Sequence, residues 1–299
     1  MISVLIGLVL VSDMNPNVGT SGFNFLKVPP TAREAAMGNV AIGFSDNAFG
    51  IWYNPAGLAA QKGRQVGVGY ISHVAGVQSG TVAFSAPLPL ATVGIGGYYV
   101  NSGPMKRTDE NGGEYGSFSA SYLDLDVAAS KRFLGLAVGL GVKAIYGTID
   151  SFWTLGLGGD LGISYEFPAS GLRAGAAARN LGISVKPFRS QNDKLPTDLA
   201  VGVGYEPISG LRLGLEAHQP LDNNLDVRLG AEGWLNKYVC LRAGLTTAGG
   251  DLKSGGGTDI LAGLSAGFGV RWHLLELDYS FTPMVILGNG HRVSFRISL

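Results

Sequence analysis

From about residue 65 to the C-terminus, apolar side chains occupy every second position in one segment after another, and this alternation constrains the fold more than any other feature. Leu136, Val138, Leu140 and Val142 alternate with Ala137, Gly139, Gly141 and Lys143. Leu155, Leu157, Leu161 and Ile163 alternate with Gly156, Gly158, Asp160, Gly162 and Ser164. A period of two marks a strand with unlike faces. The segments predict about fourteen strands, near 65–73, 78–86, 91–100, 118–130, 134–147, 153–166, 171–181, 197–206, 210–219, 226–235, 238–246, 258–269, 271–281 and 291–299. Turn signals at 87–89, 168–171, 207–210 and 288–290 separate them. Short turns alternate with longer connections at 101–117, 186–196, 220–224 and 247–258.

Composition decides what such a sheet can be. Only 15% of the 299 residues are charged, 46% are hydrophobic and 47 are Gly, which is too little charge for a sandwich wetted on both outer faces. A formal net charge of zero gives no reason to expect a nucleic-acid partner. No apolar run reaches the ~18 to 20 residues of a membrane helix. Lipid leaves open strand edges unsatisfied, so strands can span a bilayer only as a closed barrel. The expected fold is all-β: a transmembrane antiparallel barrel of about fourteen strands in the bacterial outer membrane, in contact with its lipid. Residues 1–14 read as a truncated signal segment, with the apolar stretch 2–11 too short to span.

A charge facing lipid at the midplane costs ~2 to 4 kcal/mol, so the charged face must point inward. That places Asp160, Glu166, Arg212, Glu216, Arg228, Glu232, Arg271 and Arg296 in the lumen, with opposite charges pairing across strands. Tyr70, Tyr99, Trp153, Tyr165, Tyr205, Trp272, Tyr279 and Phe281 are candidates for interfacial girdles. Ile145, Leu181, Leu261 and Trp234 are candidates for the inner face, where Ile145 and Trp234 could line an apolar pocket with Phe49 and Trp52.

Residues 15–64 differ from the barrel segment 65–299. They alternate poorly and carry helix-cap signals. Thr31 to Glu34 reads as a capping box whose helix ends at Gly38. Asp46 can cap a second turn, and Asn54–Pro55 sets a cap with Pro at the first helical position. Their apolar content argues against disorder, and an N-terminal plug with short helices, inside the barrel or across one mouth, is the expectation. Asn54, Pro55, Ala56, Gly57 and Leu58 form its motif.

The tracts 19–28, 32–38, 45–48 and 52–59, the last reading Trp-Tyr-Asn-Pro-Ala-Gly-Leu-Ala, resemble the N-terminal signature of the PorV/PorQ family. That family is similar in fold to the FadL-type transporters, which share the Asn-Pro-Ala-Gly element. The resemblance implies a fourteen-stranded outer-membrane barrel with an N-terminal plug. PorV-type members are accessory parts of type IX secretion that receive cargo proteins, so a protein partner of a secretion apparatus is implied. FadL members admit long-chain fatty acids and other hydrophobic small molecules. The usual terminal aromatic is here Leu299.

Enzyme signals are weak. Gly263 to Gly267 fits G-x-S-x-G, but that motif needs a strand-to-helix elbow and this stretch alternates as a strand. The four His residues lack ligand spacing, and Cys240 is the single cysteine, so no metal site or cofactor is expected. Two function classes remain: a secretion-accessory barrel that binds protein partners, and a passive transporter of hydrophobic solutes. The charged lumen favours the first, because a greasy path needs apolar lining.

Overall fold

The computed structural model describes residues 15–252 and 255–299; the expected signal segment, 1–14, lies outside the described residues. Fourteen strands close into an antiparallel barrel. In chain order the strands are β1 (Gln65–Ser72), β2 (Gln78–Pro87), β3 (Thr92–Asn101), β4 (Met105–Thr108), β5 (Glu114–Phe118), β6 (Ala120–Phe133), β7 (Leu136–Ile149), β8 (Phe152–Glu166), β9 (Leu172–Lys186), β10 (Asp198–Ile208), β11 (Leu211–Pro220), β12 (Asp226–Trp234), β13 (Val239–Thr246), β14 (Leu264–Trp272), β15 (Leu275–Pro283) and β16 (Asn289–Ser298), and all but β4 and β5 belong to the barrel. Each pairs with its neighbours, and β1 meets β16 with Gln65 opposite Ser298, so no spanning strand keeps a free edge.

Period two sorts the side chains as lipid requires. On β7, Leu140 and Val142 stand 56% and 57% exposed on the outer wall, while Ala137 and Lys143 are buried. Both chain termini of the sheet lie at the end with short turns, such as 134–135 and 273–274, which is the periplasmic end of an outer-membrane barrel. The longer connections at the other end are extracellular. Tyr70, Tyr99 and Trp153 stand exposed near that end and Tyr205 and Trp272 near the periplasmic one, whereas Tyr165, Tyr279 and Phe281 are half-buried.

Three local features depart from the alternation. The connection after β3 holds a separate hairpin, β4 (Met105–Thr108) with β5 (Glu114–Phe118), tied by a 2.6 Å Lys106–Glu114 ion pair and by Arg107 over Tyr115 and Phe118. β14 starts at Leu264, because Gly257–Leu261 turns as a 3-10 helix and Gly263 adopts φ +82°. β9 runs on to Lys186 through two register shifts against β8. At the first, Asn180 has φ +56° and the outward parity passes from Ala176 and Ala178 to Leu181 and Ile183. A bulge inserts one residue and flips the faces, so Leu181, taken from the sequence as a candidate for the inner face, is 40% exposed to lipid. Leu261, the other such candidate in a loop, is also exposed.

Residues 15–64 lie across the extracellular mouth and then through the lumen. They fold as one short helix, α1 (Ala32–Ala36), and 3-10 turns at Asn24–Lys27, Ala48–Trp52 and Pro55–Ala60, and nearly every residue from 30 to 58 is buried.

Candidate functional site

The luminal segment is seated by side chains that the strands present inward. Ser265 Oγ accepts from Gly38 N (2.9 Å) and donates to Ala36 O (3.2 Å). Glu216 Oε1 accepts from Ala41 N (2.7 Å) and from Ile42 N. Ser130 Oγ accepts from Ala59 N (3.1 Å) and donates to Ala56 O (2.9 Å). Trp52 Nε1 donates to Asp126 Oδ2 (2.9 Å), and Arg179 Nη1 donates to Trp52 O (3.3 Å). Each contact satisfies a group that burial would otherwise strand.

Asn54 is the hinge of the motif. Its side chain accepts from Ala56 N (3.1 Å), capping the turn that Pro55 begins, and its Nδ2 donates to Ile42 O (3.3 Å) and to Ile163 O of β8 (3.0 Å). Such an approach needs a wall without Cβ atoms: a Cβ on Gly139 would lie 2.2 Å from Ala56 N. Ala56, Gly57 and Leu58 are buried here. The earlier turn is capped by Asn47, whose side chain accepts from Phe49 N (2.8 Å), and not by Asp46 as the sequence suggested. Asp46 instead turns to a cluster of arginines.

That cluster borders a cavity of about 510 Å³ at the periplasmic end. Arg33 Nε and Arg242 Nε each lie 2.8 Å from Glu232 Oε2, and Arg242 Nη1 lies 2.6 Å from Asp278 Oδ1. Arg212 and Arg173 reach Asp46 Oδ2 at 3.1 and 3.2 Å. Arg271 and Arg296 converge on Glu276 at 2.8 and 2.9 Å. Burial alone would raise the Asp46 carboxyl, but Arg212, Arg33 and Arg173 outweigh it and hold the group at about 2. Of the charged side chains lining this cavity, all but Lys237 are in ion pairs among the described residues.

A second cavity, of about 620 Å³, opens at the extracellular end. The chain from Asn15 to Lys27 straps across this mouth. Asn15 Nδ2 donates to Asn223 O (2.8 Å), Gly22 N to Lys194 O (3.0 Å), and Lys27 Nζ meets Asp222 Oδ2 at 2.5 Å. Arg179 Nη2 donates to Asp198 Oδ2 in the cavity wall. Behind them His218 sits between Asp198 Oδ2 (2.9 Å) and Glu216 Oε2 (3.0 Å), and Glu216 holds residues 41 and 42. A polar chain therefore runs from the cavity wall to the luminal segment. Toward the same end, outside the cavity lining, lies an apolar cluster of Phe23, Ile145 and Leu195, against which Phe25, Leu26 and Tyr122 pack; Phe25 stacks on Tyr122 at 5.1 Å.

The sequence-derived apolar pocket is not assembled. Phe49 and Trp52 stack at 6.1 Å in a cluster with Ile51, Leu58 and Ile71. Ile145 belongs to the separate extracellular cluster. Trp234 borders the periplasmic cavity with Arg271 4.0 Å over its ring. The reason is geometric: Ile145 and Trp234 leave the wall near opposite ends of the barrel, and Phe49 and Trp52 belong to the luminal segment. Of the expected luminal charges, Asp160, Glu216 and Glu232 are deeply buried, and Arg212, Arg228 and Arg296 are largely so, with Arg228 2.6 Å from Asp226. Glu166 and Arg271 instead stand at the periplasmic rim, 43% and 46% exposed at their side chains, because each lies at the last position of its strand or next to it. Glu166 there meets Arg132 at 3.0 Å. Asn39, Arg179, Asp198 and His218 escaped sequence reading, although the inward spacing of Glu216 and His218 is a signal for the last. Among the described residues no group of three or more His, Cys, Asp or Glu side chains is arranged to hold a metal ion.

No family model matches the chain. A curated relative, the UPF0164 protein of Treponema pallidum (strain Nichols), is 24% identical, over 92% of this chain and 68% of that protein. The solved structure of a deltaS2 mutant of the TodX monoaromatic hydrocarbon channel aligns over 90% of this chain and 98% of its own, with 12% identity and a TM-score of 0.66. The Ralstonia pickettii toluene transporter TbuX aligns over 94% and 99%, with 15% identity and a TM-score of 0.62. A Pseudomonas aeruginosa FadL homologue aligns over 96% and 99%, with 13% identity and a TM-score of 0.54. At these identities the likeness establishes the fold, a FadL-like outer-membrane barrel. None of the comparisons carries the PorV/PorQ resemblance or a secretion role.

Proposed function

We propose that this barrel is a plugged channel for passive entry of small hydrophobic or amphipathic molecules across the outer membrane. The observation that carries the reading is the filled lumen. The chain's own segment occupies the interior, with a cavity at either mouth, an arrangement suited to a solute that moves between sites and ill suited to a wide aqueous pore. The aromatic cluster around Phe25 and Tyr122 places partly buried apolar side chains at the extracellular end, outside the cavity lining, on the side from which a hydrophobic solute would arrive. The fold shared with a monoaromatic hydrocarbon channel and a toluene transporter supports the same reading.

Entry of a hydrophobic dye into proteoliposomes tests this proposal directly. The full chain is expected to speed entry above that of empty vesicles. Replacing Phe25 and Tyr122 by Ser is expected to slow it while leaving the folded barrel intact. If entry matches empty vesicles, and a stoichiometric protein partner is instead recovered on gentle extraction, the channel reading is wrong and the secretion-accessory reading gains the support it lacks.

A further inference from the structure

Two tight turns of the barrel solve the same backbone problem with different side chains. At the extracellular end β7 and β8 are joined by Asp150–Ser151, with Asp150 at φ +55° and 2.6 Å from Arg107. At the periplasmic end β6 and β7 are joined by Leu134–Gly135, with φ of +48° and +91°. Left-handed hairpin turns favour Asn, Asp or Gly. Asp150 conforms and Leu134 does not, although Leu134 is fully exposed. Backbone preference and water both disfavour leucine there.

The flanking turns repeat the pattern. In ring order the β2–β3 turn carries Leu88 and Leu90, the β6–β7 hairpin Phe133 and Leu134, and the β8–β9 turn Phe167, all exposed. Depth agrees with contact to lipid. Trp272 belongs to the aromatic girdle of this end, and the exposed Leu274 follows two residues later. Two or three residues of a tilted strand span about 5 to 8 Å of depth, the thickness of a headgroup layer.

The cations of this rim fit the same surroundings. Lys131 lies on the lipid-facing wall, in line with Val127 and opposite Val138, which are 53% and 44% exposed. Its Nζ sits 5.2 Å over the Phe133 ring, so the stem runs along the wall toward the turn, as a lysine does when it carries its charge to a headgroup. Lys131, like Lys62 and Lys237 elsewhere on the rim, is exposed and in no ion pair among the described residues. The turn carboxylates Glu166 and Glu206 are already held by Arg132 and Arg212. An acidic protein surface would meet the cations and leave the leucines wet, and an apolar groove would do the reverse. An acidic phospholipid meets both.

We propose that the β6–β7 turn is a binding site for an acidic phospholipid of the periplasmic leaflet. Lys131 pairs with the headgroup phosphate, and Phe133 and Leu134 lie against the acyl chains, with Leu88, Leu90 and Phe167 beside them. The rim is thus seated in the leaflet and is not held clear of it in the periplasm. The inference stands apart from the channel reading, and neither depends on the other.

The test places a reporter at the tip. Leu134→Trp, in the full chain, is reconstituted into vesicles of equal parts phosphatidylglycerol and phosphatidylcholine, with bromine on the acyl chains of one lipid or the other. The emission added by the new tryptophan is expected to be quenched about fivefold more effectively by the brominated phosphatidylglycerol, and barely by aqueous acrylamide. Lys131→Gln in the same background is expected to remove the preference and leave quenching by lipid in place. Leu134→Asn supplies the residue that the turn prefers, so the barrel should resist denaturant in detergent at least as well as the unaltered chain, yet retain less phosphatidylglycerol in native mass spectrometry. Should Leu134→Trp fail to fold, retention by Leu134→Asn and Lys131→Gln still decides the matter. Quenching by acrylamide and not by lipid puts the tip in water and overturns the proposal. So does equal quenching by the two lipids, or phosphatidylglycerol retention indifferent to Lys131→Gln. Protection from lipid and acrylamide alike, found only with a co-purified protein, overturns it in favour of a protein partner.

Discussion

The two mouths of the barrel hold cavities of similar size and opposite finish. At the periplasmic end, Arg33, Asp46, Arg212, Glu232, Glu276 and Arg296 are joined to one another, and the cavity is what remains around a neutralised network. At the extracellular end, one buried side-chain oxygen each of Asp198, Asn39 and Asp222 has no hydrogen-bond partner among the described residues, whereas the buried Arg242 Nη2 of the periplasmic network, also without one, still lies 3.6 Å from Glu276 Oε1. A buried polar atom without a partner costs about 1 to 3 kcal/mol. Paired charge at one mouth therefore reads as a fastening for the luminal segment, while the other mouth leaves buried acceptors unsatisfied.

The comparison breaks most visibly at Glu232. It is 2% exposed and joins Arg33 to Arg242. Glu232→Ala takes the shared carboxylate from two buried guanidinium groups, leaving Arg242 to Asp278 and Arg33 to the more distant Asp46, and is expected to cost about 3 kcal/mol. Denaturant titration in detergent, read by the mobility shift of the unheated barrel, measures this; a loss below about 1 kcal/mol would sink the view of a fastening network. A close-packed contact comes next. A Cβ on Gly244 would lie 1.9 Å from Gly38 N, against backbone that cannot turn aside. Gly244→Ala is expected to cost about 1 to 3 kcal/mol and to expose residues near Gly38 to protease. Unchanged digestion would show that the segment is free to shift.

Asn54→Ala removes a cap and two further hydrogen bonds, an expected loss of about 1 to 2 kcal/mol. Unaltered thermal stability of this variant and of Pro55→Ala would mean that the motif does not lock the segment. The Asp46 carboxyl, held at about 2 against an ordinary 3.8, gives a smaller effect with a defined sign. Its contribution is fully present above the ordinary value and is lost as pH falls through about 2, because the unfolded chain binds the proton first. Asp46→Asn should flatten the stability profile in that window; an identical profile would remove Asp46 from the network. The smallest effect belongs to the extracellular strap. Lys27 is partly exposed, so Lys27→Ala is expected to cost less than about 1 kcal/mol while opening the cavity to faster proteolysis at the strap. A cost above 2 kcal/mol would place the strap among the fastenings.

Much of the wall was legible because lipid and period two act residue by residue. Leu140 and Val142 announce an outer face and Lys143 an inner one, whatever their neighbours. The Asn54–Pro55 turn was legible because a cap is a local device. The bulge at Asn180 was not, since its effect is a change of parity relative to β8, which one strand alone does not display. The four-residue apolar pocket failed for a related reason: inward direction follows from alternation, but height and position around the ring follow from register. Asp198 and His218 stand twenty residues apart, and only the β10–β11 pairing brings them to 2.9 Å.

By itself, then, the sequence determined a closed barrel of alternating strands, charges turned inward, and a capped segment expected inside the barrel or across one mouth. Those outcomes follow from solvation and local backbone preference, which each residue carries with it. Which charges meet, which acceptors go unpartnered, and which mouth receives the cavity with unpartnered acceptors were decided by closure of the ring, because strand register and the path of residues 15–64 through the lumen set distances that no local pattern encodes.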